Sequence, residues 1–169
     1  MKHKFLLVYS WFIRTILYFF PDIPLIMRFR GWLYGLGMKK CGKDFQVTHD
    51  AIIKDLQHLI IGDNIFIGNH SIIMGSGMCT ISNQVQVAPH CVIISGNHTS
   101  SCGSYRYGEG VVGEIFIGFG SWIAANSTIA KGAKLPDNSV LAANSFLNKS
   151  FEISNSVYGG VPAKFIKTL

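Results

Sequence analysis

Histidine is the side chain best suited to moving a proton near neutral pH, and this 169-residue chain has six. One stands apart. His98 lies in the stretch Ile-Ser-Gly-Asn-His-Thr (94–99) and is the only histidine beside a Gly-Asn turn on a projecting loop. No Asp or Glu occurs between residues 64 and 108. A base at position 98 must therefore be oriented by a backbone carbonyl, by Asn97 or Asn83, or by Glu109 folding back. The four cysteines (Cys41, Cys79, Cys91 and Cys102) show no CxxC or other metal-ligand spacing and read as reduced thiols.

The elements that must hold these residues follow from a repeat of six. Ile61, Ile67 and Ile73 are six apart, as are Ile81, Val87 and Ile93. So is the run Ile117, Ile123, Ile129, Leu135, Leu141 and Leu147, and Cys41, Val47 and Ile53 extend the series upstream. A small residue usually follows, as at Gly62, Gly68, Ala88, Gly118 and Ala124. Six is the period of neither a helix nor an alternating hairpin. It marks a solenoid with one inward aliphatic side chain per flat side, and three sides make a triangular coil of about 18 residues.

The step lengthens to eight from Ile53 to Ile61 and from Ile73 to Ile81, and to 24 from Ile93 to Ile117. Each interruption follows the third side of a coil. About five coils are expected, near 41–60, 61–80, 81–116, 117–134 and 135–152, with a protruding loop near 95–114 and His98 at its root.

Ahead of the coils lies a different kind of segment. Residues 1–45 hold eight basic and two acidic side chains, which accounts for the whole net charge of +6. Residues 46–169 carry seven of each sign. A neutral body argues against nucleic-acid binding, which needs a basic stripe on the fold. Hydrophobic residues at 49% and charged residues at 14% exclude a disordered chain. Residues 5–20 (FLLVYSWFIRTILYFF) are apolar apart from Arg14, but a bilayer-spanning helix needs about 20 such residues. No small-x-small cleavage site follows, so a secretory signal is not expected. Residues 1–40 are read as a helical segment that lies on a membrane surface or packs on a partner subunit, and 41–169 as the solenoid domain with a C-terminal tail. Trp, Tyr and flanking Lys/Arg, including Arg28 and Arg30, suit the headgroup layer.

The repeat [LIV]-[GA]-x-x-[STAV]-x resembles that of the hexapeptide-repeat acyltransferases. Three stretches are similar to the maltose, galactoside and xenobiotic acetyltransferase branch and its polysaccharide O-acetyltransferase relatives. They are Ile-Ser-Gly-Asn-His-Thr (94–99), Ile-Gly-Phe-Gly-Ser-Trp-Ile-Ala-Ala-Asn (117–126) and Gly-Gly-Val-Pro-Ala-Lys (159–164). The resemblance spans residues 41–166. It implies an all-β, left-handed parallel β-helix, a homotrimer with active sites between subunits, and acetyl-CoA as co-substrate with no metal.

By the same resemblance His98 is the general base, and a backbone N–H near Ala125 faces the thioester oxygen. Ala143 is a second pantetheine contact, and Lys149 and Lys164 meet the nucleotide end. Asn97, Tyr105, Arg106 and Trp122 would contact the acceptor. The expected activity is O-acetylation of a sugar hydroxyl in capsule, exopolysaccharide or lipopolysaccharide assembly, on the inner face of the bacterial cytoplasmic membrane. Two alternatives share the solenoid. A γ-type carbonic anhydrase would hold a metal through three histidines, and His70, His90 and His98 are the trio available. The spacing of eight from His90 to His98 departs from the five that such enzymes use. A non-catalytic scaffold would need neither the His98 loop nor the Lys164 stretch.

Overall fold

Parallel strands can stack without limit if each corner turns the chain while keeping its peptides paired. The computed structural model, which describes residues 2–169, has this form. Five strands build the first side (40–41, 59–61, 79–81, 115–117, 134–135) and five the third (52–53, 72–74, 92–94, 128–130, 146–147). The second side runs 45–47, 65–67, 86–87, 122–123, 140–141 and 156–159, closed by an antiparallel strand at Lys164–Thr168. This makes five complete coils and the start of a sixth. It is a left-handed parallel β-helix.

In-register pairing lines up the six-step residues. Val47, Ile67, Val87, Ile123, Leu141 and Tyr158 form one inward file, each fully buried. Ile53, Ile73, Ile93, Ile129 and Leu147 form another. Stacked strands about 4.8 Å apart bring these aliphatic groups into continuous contact, so the core is a column.

Corners supply the polar half of the repeat. His70, His90, Asn126 and Asn144 adopt left-handed backbone at the second corner, and Asn64, Gln84, Asn138 and Asn155 do so at the first. Asn and His tolerate that region better than most side chains. Buried serines tie corner carbonyls across coils: Ser71 Oγ donates to Ala88 O at 3.0 Å, Ser121 to Pro136 O at 2.8 Å and Ser127 to Ala142 O at 2.9 Å.

Two helices cap the first coil, α1 (Lys2–Leu17) and α2 (Pro24–Gly35). They cover strand edges that would otherwise be open. Leu6, Ile13 and Leu17 of α1 face inward, and Ser10 Oγ donates to the Ile53 carbonyl. Gly31 of α2 lies so close to Phe45 that any Cβ would meet its carbonyl oxygen at 1.8 Å.

Arg30 corrects its assignment to the lipid-facing cationic cluster. It is 1% exposed and donates to Asp22 Oδ1 (2.9 Å), to the carbonyl of Leu17 at the end of α1 (3.4 Å) and to those of Phe20 (3.0 Å) and Val47 (2.7 Å). The carbonyls ending α1 have no partner further along that helix, and a guanidinium with five donors satisfies such groups.

Candidate active site

The interruption after Ile93 is a β-hairpin finger. Strand Gly96–His98 pairs antiparallel with Gly110–Val112, with His98 opposite Gly110. Its root is pinned by Ser95, 1% exposed, which accepts from Gly77 N–H (3.1 Å) and donates to Gly77 O (2.8 Å). Beyond the strands, Thr99 donates its N–H (3.0 Å) and hydroxyl (2.9 Å) to the Glu109 carbonyl. The finger thus sets the backbone of His98 firmly and leaves its ring exposed.

Among the described residues the His98 ring makes no hydrogen bond. Asn97 Oδ1 accepts from the His98 backbone N–H at 2.8 Å and so fixes the chain, not the ring. Asn83 stands at the first corner, where its Oδ1 accepts from Asp63 N–H (2.9 Å), and it makes no bond to the His98 ring. Glu109 meets Thr99 through its carbonyl.

Tyr105, Arg106 and Tyr107 crown the finger in solvent, with the guanidinium 5.8 Å from the Tyr107 ring centroid. Trp122 is also exposed but sits on the second side, between Gln86 and Val140. One chain does not bring it to His98.

Ala125 and Ala143 stack at the second corner, where Asn144 N–H donates to Ala125 O at 3.0 Å. Neither alanine's own N–H finds an acceptor among the described residues. Two adjacent, unspent donors beside small side chains can receive carbonyl oxygens from a ligand. Lys164 opens the last strand opposite Gly159 and is exposed; Ala163 N–H beside it reaches Phe146 O at 2.8 Å. Lys149 stands at the third corner, 5.1 Å from the Phe151 ring. The two lysines therefore flank opposite ends of strand 146–147.

A polar cluster near the cap extends the second corner. Asp22 accepts from His49 Nδ1 (2.7 Å), His49 N–H (2.8 Å) and Asn69 Nδ2 (3.2 Å). Burial pushes its carboxyl up, but these bonds outweigh it and hold the group below the usual carboxylate value. Asp50 lies 3.1 Å from His70 Nδ1, and the His70 and His90 rings are 4.8 Å apart. His98, on another corner, does not join them. No three His, Cys, Asp or Glu side chains among the described residues are grouped to hold a metal. Asp22 and His49 escaped the sequence reading. The available signal was positional: His49-Asp50 occupies the corner place of Asn69-His70 and Pro89-His90 one and two coils on.

No protein-family model matches the chain. It is 47% identical over 55 residues to a probable macrolide acetyltransferase of Lysinibacillus sphaericus, covering 32% of this chain and 30% of that protein. It is 29% identical over 109 residues to the galactoside O-acetyltransferase of Escherichia coli K12, covering 64% and 53%. The chain thus spans about half or less of the length of these curated relatives. Among solved structures, a hexapeptide-repeat acetyltransferase of Vibrio cholerae complexed with acetyl coenzyme A aligns with a TM-score of 0.83 at 20% identity, covering 98% of this chain and 88% of that one. A galactoside acetyltransferase in complex with coenzyme A aligns with a TM-score of 0.83 at 22% identity, covering 98% and 81%. Repeat, three-sided coil and aligned neighbours agree that this chain has the left-handed β-helix fold of the hexapeptide-repeat acetyltransferases.

Proposed function

We propose that the protein is an acetyl-CoA-dependent O-acetyltransferase acting on a sugar hydroxyl, in the assembly of capsule, exopolysaccharide or lipopolysaccharide. The observation that carries this is the pairing of a rigid finger presenting His98 with a corner offering the unspent N–H groups of Ala125 and Ala143. An acceptor hydroxyl is a poor nucleophile at neutral pH, and His98 takes its proton as the oxygen attacks the acetyl carbon. The Ala125 N–H receives the carbonyl oxygen as it gains charge. The C–S bond then breaks, and His98 returns the proton to the leaving thiolate. Lys164 and Lys149 attract the phosphates of the co-substrate.

Base and donors stand on different corners of one prism. The working unit is a homotrimer in which one subunit's finger meets the second corner of its neighbour. That arrangement also lets Trp122 approach Tyr105 and Arg106 of another chain.

The test is thiol release from acetyl-CoA across a panel of sugar acceptors. His98→Ala is expected to cut turnover by about 10²–10⁴-fold while coenzyme A binding persists. Near-normal turnover removes His98 from the role. A chelator leaves the rate unchanged; inhibition by chelator would instead favour metal-assisted hydration.

A further inference from the structure

Both cap helices are apolar on two faces. The inward apolar residues, Leu6, Ile13 and Leu17 of α1 and Met27 and Tyr34 of α2, are buried. The outward stripes have helical spacing of their own. Phe5, Val8, Phe12 and Ile16 run along α1, each at least half exposed. Leu25, Phe29, Trp32 and Leu36 run along and just beyond α2, between 47% and 72% exposed. A stripe stepping by three and four is what a helix presents to a partner, so each cap helix carries an outward apolar stripe beyond what its own core needs.

The charges around that end are not balanced. Asp22 is engaged by Arg30 and His49, and Asp44 by Arg28. Lys4 on α1 and Lys39, Lys40 and Lys43 at the start of the first coil are exposed, and Lys43 lines the slot that Trp32 and Leu36 border. An apolar slot of 570 Å³ between α2 and the first coil is lined by Trp32, Leu36 and Phe45, with Arg28 and Lys43 among its walls. Neither helix is long and apolar enough to cross a membrane.

We infer that this end of the molecule docks on an anionic lipid surface, lying in the headgroup layer without crossing it. Charge decides between a lipid and a second copy of the chain. Packing copies cap to cap would bring like-charged lysines together around an apolar seam, whereas anionic headgroups neutralise them and acyl chains cover the stripes. In a trimer with parallel axes all three caps share one end, and three weak contacts become a strong one. The finger springs from the third coil, two strand spacings or about 10 Å below the first. Taken with the function proposed above, that depth suits a glycan carried on a lipid in the same leaflet, which the cytoplasmic face of the inner membrane provides.

The experiment is co-sedimentation of the full chain with vesicles of phosphatidylglycerol and phosphatidylethanolamine, against phosphatidylcholine alone. Binding is expected to be at least about tenfold stronger to the anionic vesicles and to weaken in high salt. The double variant Phe29→Ser, Trp32→Ser is expected to lose roughly tenfold or more in vesicle binding with its mass by light scattering unchanged. Lys39→Gln and Lys43→Gln are each expected to cost about fivefold on anionic vesicles only. Equal binding to both vesicle types at every salt concentration would overturn the proposal. So would a double variant that binds vesicles normally but falls to monomers, which would assign the stripes to subunit packing. Loss of acetyl transfer from soluble substrates, with vesicle binding intact, would count only against the enzymatic role.

Discussion

Gly108→Ala asks whether the finger itself holds the proposed base in place. A Cβ at position 108 would lie 1.6 Å from the Thr99 carbonyl oxygen and 2.5 Å from its carbon. Ordinary contact begins near 3.4 Å, so the two arms must part by roughly 2 Å at this point. Thr99 adjoins His98, and its two bonds to the Glu109 carbonyl are the first that parting would break. A shift of about 1 Å in a reacting group costs on the order of 10²-fold in rate. We therefore expect kcat to fall about 10²-fold with the KM for acetyl-CoA and the unfolding midpoint little changed, because the finger adds nothing to the aliphatic column. Gly110→Ala is the control. It faces His98 directly across the hairpin, yet its Cβ would come no nearer than 4.0 Å to Asn97 O. Steady-state kinetics on a soluble sugar acceptor, with circular dichroism for folding, reads both variants. If Gly108→Ala keeps its turnover, or if Gly110→Ala loses as much, finger geometry does not position the base.

Lys164→Ala should raise the KM for acetyl-CoA more than it lowers kcat, since a phosphate contact remote from the thioester is uniform binding, and the effect should shrink in added salt; a defect in kcat alone would remove Lys164 from that contact. Asp22 links the cap to pH. Its folded carboxyl titrates below the usual 3.8, so its contribution to stability is complete above that value and is lost as pH falls through the folded one. Denaturant unfolding across the acid range should show this limb in the parent chain and a flatter one in Asp22→Asn, and identical limbs would mean that the carboxylate does not hold the cap.

What was legible in the sequence is whatever each coil must repeat. Every side needs one inward aliphatic residue, so Val47 through Leu141 could be counted off before any geometry was known. Every interruption had to leave at a corner, so the finger's place followed from the gap between Ile93 and Ile117. Contacts made once carry no such signal. Arg30 reads as one more basic residue beside aromatic neighbours, and only the fold shows it buried against the end of α1. Asp22 meets His49 across 27 residues of chain. His70 and His90 stack as their spacing of one coil requires, and the spacing of eight from His90 to His98 already set the third histidine apart from them.

The placement of the chemistry follows from which peptides a solenoid leaves free. Along each side, N–H groups are taken by the coil next door, so a side has no donor to lend and no room for an insertion. Corner peptides are different. They can keep an N–H in reserve, as Ala125 and Ala143 do, and they can be extended into a finger without disturbing a ladder. A base and a pair of oxyanion donors recruited to this fold must both sit on corners. The proposed base and donors sit on two different corners, with the third side between them, whose three-residue strands span roughly 10 Å. One prism cannot close that distance with a finger rooted as firmly as this one is by Ser95. A neighbour whose second corner abuts the finger can, and for that reason the proposed trimer is part of the catalytic argument: separating the subunits should abolish acetyl transfer even where every coil remains folded.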